Sequence, residues 1–411
     1  MKARLFPHPL QGELAAPLSK SYAHRLLIAA ALSKGSLSYG DSEDASLTAH
    51  ALSSLGFEAT FAENSVHYGD FIPSNERRIA TVGESGSTLR FLLPLAAALG
   101  VKATFLTAGR LSERPMSALT ATLSQHGVRA EKDRVEGKLT AGLYEIDASV
   151  SSQFVSGLLM ALPLLDGDSE LHLRGTVVSA PYIGITLEVL AAAGIFVEKT
   201  AQGFLIRGGQ RYALPPSVVP GDFSGAAFLL TAGSLGKGVA VTGLDLTNAQ
   251  GDKAIVDILE KAGANVRAEG NKVTVTGAPL RAFTTDLAET PDLAPILAVL
   301  AAYAKGESRL LSVSRLKDKE SDRLLAIKEM LFSAGICARE EGDSLVIQGG
   351  APKGGVFRTF SDHRMAMSEA ILAAFSEGES EIDDMTCVKK SYPRFWEDFA
   401  RMGGKYEVER R

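Results

Sequence analysis

Two kinds of apolar run alternate along the chain. The first is rich in alanine and begins just after a Ser or Asp. Its six starters are Ser21, Ser87, Ser152, Asp222, Asp292 and Asp362, spaced 66, 65, 70, 70 and 70 residues apart. Each run closes on a glycine, at Gly35, Gly100, Gly167, Gly236, Gly306 and Gly378. Ser and Asp oxygens accept the orphan N–H groups of a helix start, and glycine tolerates the left-handed conformation that ends a helix. Runs such as LLIAAAL, FLLPLAAAL and ILAVLAA have almost no polar face. The pattern therefore predicts six helices buried on all sides rather than lying on a surface.

The second kind is amphipathic and Leu-rich, ending at Gly56, Gly127, Gly194, Gly263, Gly335 and Gly403. Each is followed by a short alternating segment: FEATF, VRAEK, IFVEK, NVRAE, ICARE and KYEVE. A further strand-like run often comes next, as in GFLIRGG, KVTVTG and SLVIQG. One copy thus reads strand, helix, strand, helix, strand, strand. Six copies of about 68 residues fill a chain of 411. The fold class is α/β, built from repeats. The starters change from Ser to Asp after the third copy, and residues 212–221 (YALPPSVVPG) carry three prolines. Both signs divide the chain into two domains of three copies each.

Length agrees with two domains, at roughly 100–200 residues per domain. The formal net charge of −5 argues against a general nucleic-acid or anionic-membrane surface. Cys337 and Cys387 give no disulfide framework and no zinc spacing, and the histidines form no HExxH pattern. The opening MKARLFPHPLQGELAAP lacks the apolar core of a signal peptide. The longest apolar runs, such as Phe91 to Leu99, fall short of the ~18 residues of a membrane span. A soluble cytoplasmic protein is expected.

Charged and polar residues collect where the buried runs begin. Lys20-Ser21-Tyr22-Ala23-His24-Arg25, Gly83-Glu84-Ser85-Gly86-Ser87-Thr88-Leu89-Arg90, Ser151-Ser152-Gln153, Thr290-Pro291-Asp292 and Ser361-Asp362-His363-Arg364 all stand there. A helix N-terminus offers free N–H donors and about half a positive charge, and glycine lets the backbone approach an anion. Another stretch, Lys317-Asp318-Lys319-Glu320-Ser321-Asp322-Arg323, has six charged residues in seven. It could hold an anionic substrate with an acid or base in reach. Loops add Arg110 and Arg114 in GRLSERPMSAL, and Lys389, Lys390 and Arg394 in CVKKSYPRF.

Each motif alone has a plainer explanation. GESGST reads equally as a capping turn, Ser151-Ser152-Gln153 and Asp292 as caps, Lys20 and Arg25 as exposed charge, and the charged stretch as a solvated helix start. GESGST is not a Walker loop, because no Gly-Lys-Ser/Thr follows. Recurrence at one point of a repeated unit favours a common site. Many cations, few carboxylates and no metal-ligand spacing suit a substrate with more than one phosphate or carboxylate. They also suit proton transfer stabilised by fixed charges.

Ten stretches, in this order, resemble the 5-enolpyruvylshikimate-3-phosphate (EPSP) synthase family: PLSKSYAHR, GESGSTLRF, LSERPMSAL, SSQFVSGLLMALPL, SAPYIGITL, PGDFSGAAF, PDLAPILA, KDKESDRL, SDHRMAMS and KKSYPRF. They run from about Leu18 to Phe399. The resemblance implies two similar domains, each of three βαβαββ units with buried parallel helices: residues 1–18 with 221–411, and residues 19–220. It implies substrates in a cleft between domains that closes on binding. The implied reaction moves the enolpyruvyl group of phosphoenolpyruvate to the 5-hydroxyl of shikimate 3-phosphate. No metal or organic cofactor, nucleic acid or membrane is implied, and the family suggests a monomer.

By position, the resemblance assigns shikimate-3-phosphate contacts to Lys20, Ser21, Arg25, Ser151, Ser152, Gln153, Ser179, Asp292 and Lys319, with Tyr182 alongside. Phosphoenolpyruvate contacts fall on Lys20, Gly86, Arg114, Gln153, Arg323, Arg364 and Lys390. Asp292 matches the proton acceptor for the hydroxyl and Glu320 a proton donor at the methylene, with Lys20 and Lys390 sharing the catalytic work. Glu84 stands where many relatives have Asn, and Arg315 where some have a substrate-binding Asn. Gly86 is kept where some glyphosate-insensitive relatives have Ala, so glyphosate is expected to compete with phosphoenolpyruvate. Two alternatives remain. The sister family acting on UDP-N-acetylglucosamine normally has a Cys, sometimes Asp, in the loop that reads GRLSERP here. A non-catalytic phosphometabolite-binding module would not need Asp292 and Glu320.

Overall fold

The computed structural model describes residues 1–409. They form two compact units, residues 20–219 and residues 1–19 together with those from 220 onward. The irregular, proline-bearing stretch 212–221 contains the second division.

The unit of residues 20–219 contains α1 (Lys20–Leu32), α2 (Glu43–Ser54), α3 (Gly86–Ala98), α4 (Ser117–Ser124), α5 (Ser152–Ala161) and α6 (Ala180–Ala192). Helices α1, α3 and α5 are buried along nearly their whole length. Their apolar residues point in every direction, so no face is suited to water. Helices α3 and α5 approach closely for a specific reason. Pro94 has no N–H, so the carbonyl of Arg90 loses its helical donor. Gly157 of α5 lies against that oxygen, and any Cβ there would collide with it.

Three small sheets pack on these helices. In one, Leu143–Asp147 runs parallel to Ser169–Arg174, which is antiparallel to Gly203–Ile206, with Val197–Lys199 at the edge. Arg78–Gly83, Ala103–Thr107, Arg134–Gly137 and Val128–Glu131 repeat that order. The first copy has only Ser36–Ser38, Ser65–Phe71 and Phe57–Ala62, without the leading parallel strand.

That strand is used in the other unit. Gln11–Ala15 pairs in parallel with Gly238–Thr242, Gln11 opposite Gly238. Lys2–Phe6 lies antiparallel between Ser380–Ile382 and Lys405–Glu409, with Ala3 opposite both Ile382 and Val408. This unit contains α7 (Phe223–Leu235), α8 (Ala254–Lys261), α9 (Ala294–Tyr303), α10 (Arg323–Ser333), α11 (His363–Phe375) and α12 (Phe395–Arg401). Helices α7, α9 and α11 are the buried ones. Among the described residues no helix is long and apolar enough to cross a membrane.

The six starters do not all act as caps. Asp222 and Asp362 do, accepting from Gly225 N at 2.8 Å and Arg364 N at 2.9 Å. For α3 and α5 the caps are Ser85 and Ser151, just ahead of Ser87 and Ser152. Ser21 lies inside α1, and Asp292 lies in a 3-10 turn, Pro291–Leu293, ahead of α9. The glycines closing the six amphipathic helices all have positive φ, from 73° to 119°. Of those closing the buried helices, only Gly100, Gly306 and Gly378 do.

One of the buried charged residues lacks the hydrogen bonds that burial demands. Glu369 of α11 is 0 % exposed, and neither carboxyl oxygen finds a hydrogen-bond partner among the described residues. Burial, then the charges of Asp383 and Asp362, push its pKa well above the carboxylate range. A carboxyl raised on folding holds a proton that the unfolded chain releases. It therefore weakens folding as pH rises from about 4.3 toward the folded value. Glu369→Gln should raise the thermal midpoint at pH 7 and leave it nearly unchanged near pH 4. Equal midpoints at pH 7 would contradict this account.

Candidate active site

In the unit that includes residues from 220 onward, the starts of α9, α10 and α11 converge on Arg323. This first residue of α10 is 1 % exposed. Each of its three nitrogens donates to a different carboxylate: Nε to Asp362 Oδ2 at 2.8 Å, Nη1 to Asp292 Oδ1 at 2.7 Å and Nη2 to Glu320 Oε2 at 2.7 Å. Asp362 also accepts from Ser321 Oγ at 2.9 Å while capping α11. The other oxygen of Asp292 accepts from Arg364 Nη2 at 3.0 Å, and Lys319 Nζ lies 3.7 Å from Oδ1.

The charged stretch is thus not a solvated helix start. Ser314–Asp318 form a 3-10 turn, residues 319–322 are irregular, and Asp322 caps α10 by accepting from Leu325 N at 3.0 Å. The break turns Lys319, Glu320 and Arg323 inward together.

Burial alone would raise the pKa of Asp292, but Arg364, Lys319 and Arg323 hold it well below the carboxylate range. Asp362 is also lowered: burial opposes, and Arg323 and His363 prevail. Burial would lower Arg323, yet Asp362, Glu320 and Asp292 raise it well above its ordinary value. Lys319 is lowered by burial despite the nearby charge of Asp292. Asp252 is a newcomer to the site. Burial, then the charge of Asp292, push it up to about 7, against the pull of Arg364. Arg315 is lowered by burial, and Glu289 and Asp292 attract it, so it belongs to the surroundings of Asp292. Lys390 Nζ donates to the Ser361 carbonyl at 3.1 Å. Phe360 and Ser361 hold φ of 53° and 55° there, a left-handed pair just before the Asp362 cap.

The unit of residues 20–219 has two further clusters. Lys20 Nζ lies 2.8 Å from Asp44 Oδ2. Arg25 is 2 % exposed and donates from Nε to Thr186 Oγ1 at 2.7 Å, from Nη1 to the Ser21 carbonyl at 2.6 Å, and from Nη2 to the Tyr182 carbonyl at 2.9 Å and Ser156 Oγ at 3.3 Å. Four of its five N–H groups therefore serve the protein. Burial pushes Arg25 down to about 10, which leaves it cationic at neutral pH. Ser179 precedes α6 with φ 53°.

The second cluster surrounds the start of α3. A Cβ added to Gly86 would stand 2.7 Å from Arg114 Nη1, so the guanidinium lies against the glycine. Gln153 of α5 donates from Nε2 to Ser87 Oγ at 2.9 Å. Glu84 leans on Gly109, whose φ of 51° and lack of a side chain make room for it.

The expected residues therefore gather in groups within each unit: Asp292, Lys319, Glu320, Arg323 and Arg364; Lys20 at the start of α1 with Ser21 and Arg25; and Gly86 with Arg114. Ser151 and Ser152 stand at the start of α5 and Ser179 at that of α6. Sequence reasoning missed Asp44 and Asp252, gave Arg90 no role beyond the charge at the start of α3, and saw Asp362 only as a cap. Nothing local marks them. Asp44 lies 24 positions from Lys20, and Asp362 lies 39 from Arg323.

A family model for EPSP synthase (3-phosphoshikimate 1-carboxyvinyltransferase) matches residues 6–399. The chain belongs to the EPSP synthase family. It is 39 % identical to the 3-phosphoshikimate 1-carboxyvinyltransferase of Clostridium kluyveri, covering 98 % of this chain and 97 % of that one. It is 35 % identical to that of Methanocorpusculum labreanum over the full length of both. Two solved structures share the α/β fold: EPSP synthase from Acinetobacter baumannii, with TM-score 0.82, 23 % identity and full coverage of both chains, and the enolpyruvyl transferase NikO from Streptomyces tendae, with TM-score 0.77, 18 % identity and coverage of 99 % and 98 %.

Within this family member, Arg323 is the group whose loss should be felt most in folding. Arg323→Ala would leave three carboxylates facing one another without their shared cation. Breaking a buried pair in this way costs about 3–5 kcal/mol, readable as a lower urea midpoint. Arg323→Lys keeps the charge but not the fork, and should fall between. An unchanged midpoint for Arg323→Ala would contradict the arrangement.

Proposed function

We propose that the chain is a 3-phosphoshikimate 1-carboxyvinyltransferase, transferring the enolpyruvyl group of phosphoenolpyruvate to the 5-hydroxyl of shikimate 3-phosphate and releasing phosphate. Full-length family membership, joined to an Asp292 carboxylate clamped by two arginines, carries this reading. The sister reaction on UDP-N-acetylglucosamine is not favoured, since the loop at residues 109–115 has neither Cys nor Asp. Family resemblance supports a monomer acting in the cytoplasm, and the net charge of −5 argues against nucleic-acid or anionic-membrane partners.

Lys20, Ser21, Arg25, Ser151, Ser152, Gln153, Ser179, Asp292 and Lys319 bind shikimate 3-phosphate, Arg25 through its one remaining N–H. Lys20, Gly86, Arg114, Gln153, Arg323, Arg364 and Lys390 bind phosphoenolpyruvate. Asp292 takes the hydroxyl proton as the oxygen attacks C2, and Glu320 delivers a proton to C3. Lys20 and Lys390 share the proton transfer and balance the developing charge. The tetrahedral intermediate carries phosphate and the acceptor oxygen on C2. Loss of the C3 proton and departure of phosphate leave the enol ether.

The clamp sets the timing. With Arg323 and Arg364 on its oxygens, Asp292 is too weakly basic to take a hydroxyl proton. An anionic donor molecule on those guanidinium groups draws hydrogen bonds away and adds negative charge, so the basicity of Asp292 rises. The base becomes competent when phosphoenolpyruvate is in place.

Asp292→Asn should lower kcat by ~10²–10⁴-fold while leaving KM for phosphoenolpyruvate unchanged or lower, since the amide releases Arg323 and Arg364 to the donor. Near-normal turnover would remove Asp292 from proton transfer. Glyphosate should compete with phosphoenolpyruvate, and Gly86→Ala, by displacing Arg114, should weaken both. Retained affinity for both would refute the contact. The acceptor is tested by phosphate release from phosphoenolpyruvate, with shikimate 3-phosphate or with UDP-N-acetylglucosamine. Release only with the first is expected. Release only with the second overturns the acceptor, and none with either overturns the enzyme reading.

A further inference from the structure

We infer that Arg90, which matches no substrate contact, is a positioning residue: it fixes which end of the Gln153 amide faces the ligand and tethers the loop that carries Arg114. The inference rests on the proposed contact between Gln153 and the substrates.

Arg90 lies one turn into α3 and is 4 % exposed. Its Nη1 donates to Gln153 Oε1 at 2.6 Å, and its Nη2 to the Pro115 carbonyl at 3.1 Å. The guanidinium also sits over the ring of Phe154, 5.2 Å from its centre. A guanidinium has donors only, whereas the two ends of a glutamine amide have nearly the same shape and opposite polarity. Arg90 makes the two orientations unequal. The observed one gives an acceptor to the cation, and the flipped one would press the amide NH2 against it.

The consequence falls on the other end of the amide. With Oε1 held, Nε2 turns to Ser87, the second residue of α3 and neighbour of Gly86. One Nε2 hydrogen goes to Ser87 Oγ, and the second remains for an anionic oxygen. Ser87, accepting from Nε2, keeps its own hydrogen to donate. A single buried cation thus leaves two hydrogen-bond donors for an anion beside Gly86. Its second arm holds the carbonyl of Pro115, next to Arg114, whose guanidinium lies against Gly86. A glutamate at 153 would pair with Arg90 but offer no donor to an anion.

The test is a double-mutant cycle read by steady-state kinetics with phosphoenolpyruvate varied at saturating shikimate 3-phosphate. Gln153→Ala and Arg90→Met should each raise KM for phosphoenolpyruvate by about tenfold, the loss of one hydrogen bond of roughly 1.4 kcal/mol. The double variant should exceed Gln153→Ala by no more than about threefold, the share of the Pro115 arm, because residues acting through one group are not additive. Gln153→Glu should keep a native thermal midpoint yet raise KM like Gln153→Ala. A multiplicative effect, near a hundredfold, or an Arg90→Met that lowers only the thermal midpoint, overturns the positioning role and leaves Gln153 a contact. An unchanged KM for both substrates in Gln153→Ala overturns the contact itself. Where Arg90→Met does not fold, Gln153→Glu decides: a native KM overturns the inference.

Discussion

A buried arginine that answers three carboxylates is the constraint on which the rest of this site depends. Arg323 is almost fully enclosed, and a charge removed from water must be paired and hydrogen-bonded. Only a guanidinium can meet three acceptors at once from Nε, Nη1 and Nη2. Its partners come from separate segments, with Asp292 ahead of α9, Glu320 in the irregular stretch and Asp362 capping α11. One side chain therefore fixes where three helix starts stand. The nearest charges nearly cancel, since Asp292, Glu320 and Asp362 face Arg323, Arg364 and Lys319. In this arrangement the protein's own carboxylates occupy the cations that the proposed anionic substrate would claim. Resting stability and catalytic readiness are then two uses of one set of contacts.

The unit of residues 20–219 uses the same device in milder form. Arg25 ties α1 to α5 and α6 through Ser156, Thr186 and the Tyr182 carbonyl, and Arg90 ties α3 to α5 and to the loop at Pro115. In both cases a buried cation near a helix start holds neighbouring elements by neutral oxygens. The apolar helices supply the packing. The arginines fix the orientation of polar groups that packing alone would leave free to turn.

The repeat was legible because its physical requirements are local. A helix buried on all sides must be apolar all round, and the six glycines after the amphipathic helices all take the positive φ that favours glycine. Capping was less legible, because several Ser or Asp residues stand at each start and the spacing does not say which oxygen turns to the backbone. Asp292 shows the limit. A cap and a buried, ion-paired carboxylate look alike in sequence, and its partners Arg323 and Arg364 lie 31 and 72 positions away. The charged run from Lys317 was ambiguous for a related reason. Its composition is that of a solvated helix, and Lys317 and Asp318 are indeed exposed, while the irregular stretch after the turn at Ser314–Asp318 brings Lys319, Glu320 and Arg323 together. Family resemblance implied only that residues 1–18 belong with 221–411, and no pattern within Gln11–Ala15 points to its pairing with Gly238–Thr242.

The central claim is that Asp292 is held unprotonated and weakly basic by its arginines until an anionic donor takes them. The direct measurement is a pH titration of the Asp292 carboxyl by carbon NMR of labelled protein, with Asp292→Asn for assignment, alone and with phosphoenolpyruvate. The account predicts a carboxylate that stays ionised well below the ordinary value of about 3.9 in the free protein, and a titration that moves upward with phosphoenolpyruvate. An ordinary titration in the free protein, or one that phosphoenolpyruvate leaves in place, would contradict it.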